Sequence, residues 1–173
     1  MHYIMIESSG HPLFEVAWSL YERAFPKNEK RTKEEQSLSL KKEAYTFMSC
    51  FDKDVFVGIL SFWKIDACTY IEHFAIDETL RGQNYGSKLL SAFLQNHHDV
   101  YLEIEMPTCE MTKRRLNFYK NLGFVQNAHE HYQIPFRKDD VILPLQVLSY
   151  QNPLSKERYD MLYKKMYKLM PLY

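Results

Sequence analysis

The sequence predicts a mixed α/β fold, and three observations carry that expectation. A strand, a glycine-bearing loop and a helix follow one another across residues 70–94. Two β-rich runs at 45–51 and 55–63 flank a short Asp-Lys-Asp turn, the pattern of a hairpin. Stretches with apolar residues at helical spacing stand before and after these strands. A chain of 173 residues fits one domain, 1–173, and can bury a real core.

Taken in order, residues 2–6 read as a first strand ended by SSGHP. An amphipathic helix follows at 13–25, with Phe14, Ala17, Trp18, Tyr21, Ala24 and Phe25 on one stripe, and Pro26 stops it. A second, more polar helix starts after Thr32, whose hydroxyl and Glu35 three residues on make a capping box. Gly58, inside the second hairpin strand, marks a bulge or a close backbone approach. The central strand carries Tyr70, Ile71, Phe74 and Ile76; period-two alternation sets Glu72 on one face with Tyr70 and Phe74, and His73 on the opposite face as packing or surface. Its helix carries Leu89, Leu90, Phe93 and Leu94.

Residues 100–106 form the next strand, ended by Pro107, with Glu103 and Glu105 on one face and Leu102 and Ile104 on the other. A helix at 110–122 ends on Gly123 as its C-terminal cap. Strands at 124–126 and 141–148 close the sheet, joined by a polar, aromatic loop. Pro153 opens a last helix, about 153–171, whose stripe of Leu154, Tyr159, Leu162, Tyr163, Met166, Leu169 and Met170 packs on the sheet. A homodimer contact through this helix is the alternative.

Composition narrows the function classes. Lys plus Arg equals Asp plus Glu at 22 each, so no overall charge recruits nucleic acid or a membrane surface. The 13 Tyr and 11 Phe serve mainly as core and half-buried packing. Cys50, Cys68 and Cys109 are widely spaced and odd in number, with no metal-ligand spacing, which fits a reduced, cytoplasmic protein. The N-terminus lacks the pattern of a signal peptide, and no apolar run reaches the roughly 18 residues of a membrane span.

Gly82 and Gly86 are two of only five glycines, four apart in the loop that feeds a helix. Such a pair points to unusual torsions or close approach. A helix N-terminus offers unpaired N–H groups and positive dipole to an anion, and Arg81 and Lys88 add charge. The reading is a phosphate cradle, with an ordinary capped turn as the bland alternative. Neither GxxxxGK[ST] nor GxGxxG is present.

The run FAIDETLRGQNYGSKLL resembles motif A of the GNAT N-acetyltransferase superfamily, [QR]-x-x-G-x-[GA], through Arg81, Tyr85 and Gly86. Asn84 stands where the family usually has its first glycine, and Asn is the residue after glycine that best tolerates left-handed torsions. Downstream, RRLNFYKNLGF is similar to the family's helix-to-strand segment ending in FYxxxGF. The resemblance covers about 47–148, the acetyl-CoA-binding core. It implies a mostly antiparallel, twisted sheet of six to seven strands, with the fourth and fifth splayed apart and helices on both faces.

The resemblance also implies acetyl-CoA as cofactor, with CoA as product, and transfer of the acetyl group to a primary amine of a small molecule or peptide by direct attack in a ternary complex. Phe74, Ala75 and Ile76 would pair with the pantetheine arm as if it were an added strand. Arg81, Gly82, Gln83, Asn84, Tyr85, Gly86 and Ser87 would hold the pyrophosphate, and Asn117 would touch the pantetheine. Tyr119 matches the tyrosine whose hydroxyl approaches the cofactor sulfur. Glu72 and Glu103 are the two candidates for the base, since a carboxylate on an interior strand is costly unless wet, paired with Arg or Lys, or used. Phe25, Glu29, Arg31, Glu105 and His131 are candidates for acceptor contact, and Glu72, Glu103 and Glu105 near the cleft favour a small cationic amine. A non-catalytic acyl-CoA-binding or sensing module on the same fold is the alternative reading, and a structural interaction protein using the last helix is a third.

Overall fold

The computed structural model describes residues 1–170. Seven strands form one sheet in the order β1-β2-β3-β4-β5-β7-β6, antiparallel throughout except for the parallel pair β4–β5. β1 (His2–Met5) lies at one edge, followed by the hairpin of β2 (Tyr45–Asp52) and β3 (Val55–Ile65). Lys53 takes φ 54° in its turn, so a lysine occupies the left-handed position that glycine usually fills. β4 (Cys68–Ile76) and β5 (Val100–Glu105) are central, and β7 (Leu145–Tyr150) inserts between β5 and β6 (Phe124–Gln126).

Helices cover both faces. On one, α1 (Phe14–Ala24) and α5 (Lys156–Leu169) enclose Tyr21, Phe47, Ile59, Trp63 and Val147 in one apolar cluster. On the other, α3 (Tyr85–Leu94) and α4 (Glu110–Asn121) bury Leu60, Leu89, Leu102, Leu116 and Leu148. α2 (Lys33–Ser39) begins with the expected capping box, Thr32 and Glu35 each taking the other's backbone N–H. Gly123 follows α4 at φ 93°, the left-handed turn predicted for it. No helix among the described residues is long and apolar enough to cross a membrane.

Three features depart from the sequence expectations, two element starts and one strand register. β7 begins at Leu145 rather than 141, because Pro144 has no N–H to give a strand; it makes only an isolated bridge to Tyr132. α5 begins at Lys156 rather than Pro153. Leu154 N–H is taken by Asn127 Oδ1 at 2.8 Å, and Ser155 caps the helix by accepting from Arg158 N–H. The far end of that expected helix, residue 171, lies outside the described residues.

The third difference positions the site. Ser61 pairs with His73, but Phe62 pairs with Ile71, so Glu72 is an extra residue in β4, a β-bulge. Simple alternation therefore fails across it. Glu72 does share the α1 face with Tyr70, but Phe74 turns to the α3/α4 face, where it stacks on Phe118. His73 sits on the same side as Glu72, not opposite, its Nδ1 3.3 Å from the Glu72 carboxylate.

Candidate active site

β4 and β5 are paired only at Thr69–Val100, Tyr70–Tyr101 and Ile71–Leu102. Beyond those pairs the strands part, and a cleft of about 200 Å³ opens between them. At Glu72 and Glu103 the residues are half-exposed although their side chains are only 2% and 8% exposed, so it is backbone that faces the opening. The cleft is therefore edged by peptide groups of Glu72 to Ala75 that no strand pairs on the β5 side. Gly58 lets β3 approach β4 closely here, since a Cβ on it would lie 2.3 Å from the Ala75 carbonyl oxygen.

Next to this edge stands the N-terminus of α3. Gly82 takes φ 76° and Asn84 φ 64°, so both residues occupy the left-handed region and turn the chain into the helix. No side chain caps α3, whereas Thr32 and Ser155 cap α2 and α5. Its first-turn N–H groups and positive dipole end are thus open to an anion. Arg81, Gly82, Gln83 and Asn84 are exposed, and Tyr85, Gly86 and Ser87 half-buried. Arg81 and Lys88 form no ion pair among the described residues. A Cβ at Gly86 would meet the Phe118 ring at 3.4 Å and Ile76 at 3.6 Å, so this turn rests directly on β4 and α4. Asn117 is exposed on α4 and outside the cleft lining; its neighbour Phe118 is the residue that reaches α3.

Tyr119 lines the cleft from α4 and has no hydrogen-bond partner among the described residues. Burial pushes its phenol up to about 12, opposed by Arg115 and reinforced by Glu105, so it keeps its proton at neutral pH. Phe25 and Glu29 line the same cleft with Phe136 and Gln133. Burial, then the nearby Glu105 carboxylate, raises the Glu29 carboxyl above its ordinary range. Glu105 also lines the cleft, in an ion pair with Arg115.

The two candidate bases are placed very differently. Glu72 forms a two-point ion pair with Arg31, at 2.6 Å and 2.7 Å, with both side chains buried. Burial alone would raise the Glu72 carboxyl, but the guanidinium outweighs it and holds the group well below the usual carboxylate range. Arg31 is sandwiched among Phe136, Tyr45 and Trp63, and its backbone N–H donates to Tyr21 Oη at 2.9 Å. Arg31, expected at the acceptor, is 1% exposed, and both Glu72 oxygens are held by its guanidinium, the paired alternative to a base.

Glu103 also lines the cleft, with its side chain largely buried, and is tied to no guanidinium. Tyr70 Oη donates to its Oε1, and His131 Nε2 contacts its Oε2. His131 is accordingly buried behind Glu103 rather than displayed to an acceptor, because Leu145 N–H anchors its own carbonyl beside β7 at 3.0 Å. Its Nδ1 lies 2.9 Å from Tyr159 Oη. Tyr159 was legible only as a member of the apolar stripe of α5, since a phenol hides one polar atom on an apolar body. Among the described residues, no group of three or more His, Cys, Asp or Glu is placed to hold a metal.

The comparisons with known proteins agree with this architecture. A GNAT acetyltransferase family model matches residues 11–124. A solved structure from Bacteroides thetaiotaomicron, assigned to GNAT-family acetyltransferases, is 28% identical, with a TM-score of 0.91 over 98% of this chain and 97% of its own. A Bacillus subtilis acetyltransferase in complex with CoA shares the fold at 13% identity, TM-score 0.59, covering 86% of this chain and 97% of its own. So does a GNAT-family acetyltransferase from Elizabethkingia anophelis with acetyl-CoA bound, at 15% identity and TM-score 0.56, covering 86% and 95%. No curated protein matched. With the family model spanning well over half of the sequence, and the splayed β4–β5 pair beside an uncapped α3, the chain belongs to the GNAT acetyltransferase family.

Proposed function

We propose that this protein transfers an acetyl group from acetyl-CoA to a primary amine of a small cationic molecule or a peptide, by direct attack while both substrates are bound. One observation carries the reading. The parting of β4 and β5 opens one cleft lined by both Tyr119, from α4, and Glu103, from β5.

The residues present fit the cofactor. The open first turn of α3, with Arg81 and Lys88 beside it, suits a pyrophosphate, and the unpaired peptide groups of β4 suit an extended amide-bearing arm. When bound, acetyl-CoA supplies the activated acetyl group as a thioester. A β4 N–H in the cleft would hold the carbonyl oxygen as it gains negative charge. Glu103 Oε2 takes a proton from the amine, since Glu72 is committed to Arg31 and Glu105 to Arg115. Glu29, Glu103 and Glu105 together attract a cationic acceptor, and Phe25 and Phe136 give it apolar walls.

Tyr119 Oη acts as a hydrogen-bond donor to the departing sulfur. Burial holds its phenol protonated, so it can give that hydrogen bond at neutral pH.

The test is a calorimetric titration with acetyl-CoA, CoA and ATP, followed by thiol-release assays over spermidine, 1,4-diaminobutane, lysine, tyramine and short peptides. Binding of acetyl-CoA and CoA but not ATP, with turnover on a cationic amine lost about 10²- to 10⁴-fold in Glu103→Gln, is the expected outcome. Undiminished turnover in that variant would remove Glu103 as the base.

A further inference from the structure

The groups behind Glu103 form a chain with an unusual proton count. Tyr159 Oη lies 2.9 Å from His131 Nδ1 and 3.0 Å from the Glu130 carbonyl oxygen. A carbonyl only accepts, and a phenol has one proton to give. If Tyr159 donates to Glu130, then His131 Nδ1–H must donate to Tyr159. The Glu103–His131 couple then carries one proton on the bond between them as well as one on Nδ1. With Nδ1 protonated in this way, Nε2 is the ring nitrogen that faces Glu103 Oε2, so the couple gains or loses its further proton there and no heavy atom has to move.

We propose that Glu103 and His131 work as one proton acceptor in which His131 holds the proton and Tyr159 positions the imidazole. The inference rests on Glu103 being the base of the proposed reaction. As the amide forms, an N–C bond is made and the thioester C–S bond breaks. The attacking ammonium gives up two protons. One restores the CoA thiol, and the other passes through Glu103 Oε2 to His131 Nε2 before leaving to solvent.

The surroundings favour relay through side chains over relay through water. The space enclosed by Val147, Leu154, Leu162 and Met166 beside the couple is about 10 Å³, at most one water. The Tyr159 ring is held by stacking on His129 at 4.3 Å and on Tyr163 at 5.9 Å. Titratable groups facing the couple are Tyr70 on β4, Tyr101 on β5, Tyr159 and Tyr163 on α5, His129 and Glu130 on its own loop, and Glu29 in the cleft; β7 presents the apolar Val147. Burial raises all four phenols, so they stay protonated while the couple changes charge.

Two measurements test this. In ¹⁵N-histidine NMR of the whole protein, with His131 assigned through His131→Gln, Glu103→Gln and Tyr159→Phe should each lower the midpoint of His131 proton uptake, the first by at least one pH unit. In kinetics with acetyl-CoA and the fastest amine of the panel above, His131→Gln should lower kcat about 10- to 100-fold at nearly constant KM. It should also move the acidic limb of kcat/KM to lower pH by at least one unit, because a carboxylate alone then accepts the proton. A His131 signal indifferent to Glu103→Gln, or an unmoved limb and kcat in a folded His131→Gln protein, would overturn the proposal. Full activity of Glu103→Gln would instead overturn the reading of the base on which it rests, and failure of every amine would overturn the acceptor class while the NMR result still stood.

Discussion

Replacing Glu72 by Gln removes one partner of an ion pair that is sealed from water. Arg31 and Glu72 side chains are 0% and 2% exposed, and two N–H groups of one meet both oxygens of the other. Removing the carboxylate strands a guanidinium with no countercharge, a change that typically costs about 3–5 kcal/mol. For a domain of this size that lowers Tm by on the order of 10 °C. Replacing both partners by apolar residues, as in Arg31→Met with Glu72→Leu, leaves no stranded charge and should recover most of the loss. The effect also has a pH signature. Glu72 stays ionised in the folded protein below its ordinary value of 4.5, while in the unfolded chain it takes up a proton there. The unfolded state binds more protons in that range, so the stabilisation is complete above about pH 4.5 and is lost as the pH falls further. Urea unfolding of wild type and Glu72→Gln from pH 3 to 8 should show a gap that is constant near neutrality and narrows in acid. A gap under about 1 kcal/mol at pH 7, unchanged by acid, would refute the structural role and return Glu72 to candidacy as the base.

Two further outcomes follow from the cleft geometry. Tyr119→Phe should lower kcat about 10²-fold and leave the acetyl-CoA Kd within a factor of about three, since only the cleft-lining hydroxyl proposed as donor is lost; equal turnover of the two proteins would remove Tyr119 from that role. Gly58→Ala places a methyl 2.3 Å from the Ala75 carbonyl and should destabilise by about 1–3 kcal/mol while weakening acetyl-CoA binding, because β4 must shift at the cleft edge. Unchanged thermal unfolding and calorimetry would show that the β3–β4 approach is not a constraint.

What could be read from the sequence was whatever depends on a few adjacent residues. The Thr32–Glu35 capping box, the left-handed Gly123 and the tolerance of Asn84 for φ 64° each follow from local torsion and hydrogen-bond chemistry. The bulge at Glu72 was not legible, because register belongs to two strands at once and no residue in YIEHF announces the slip. Arg31 was misplaced for a related reason. A guanidinium in a polar run reads as surface, and only the aromatic pocket of Tyr45, Trp63 and Phe136 from distant segments makes burial tolerable. His131 was singled out, but its partner Tyr159 lies 28 residues away on a helix whose apolar stripe fully accounts for it.

The bulge connects these misses to the site itself. Ile71 is the last residue of β4 paired with β5, and Glu72, the next residue, is the extra one. A bulge bends its strand and sharpens its twist, so the slip that defeats the alternation pattern is also a physical cause of the parting of the two strands. It turns Glu72 and His73 to the same side, where Arg31 takes one and the Glu29 carbonyl, 2.9 Å from His73 Nε2, takes the other. The ion pair thereby fixes the bent strand against α1 and the segment after it, while Glu103, on the strand that parts from it, lines the cleft with no guanidinium and is held by Tyr70 and His131. One buried carboxylate is thus matched to a fixed cation, and the other to a phenol and an imidazole.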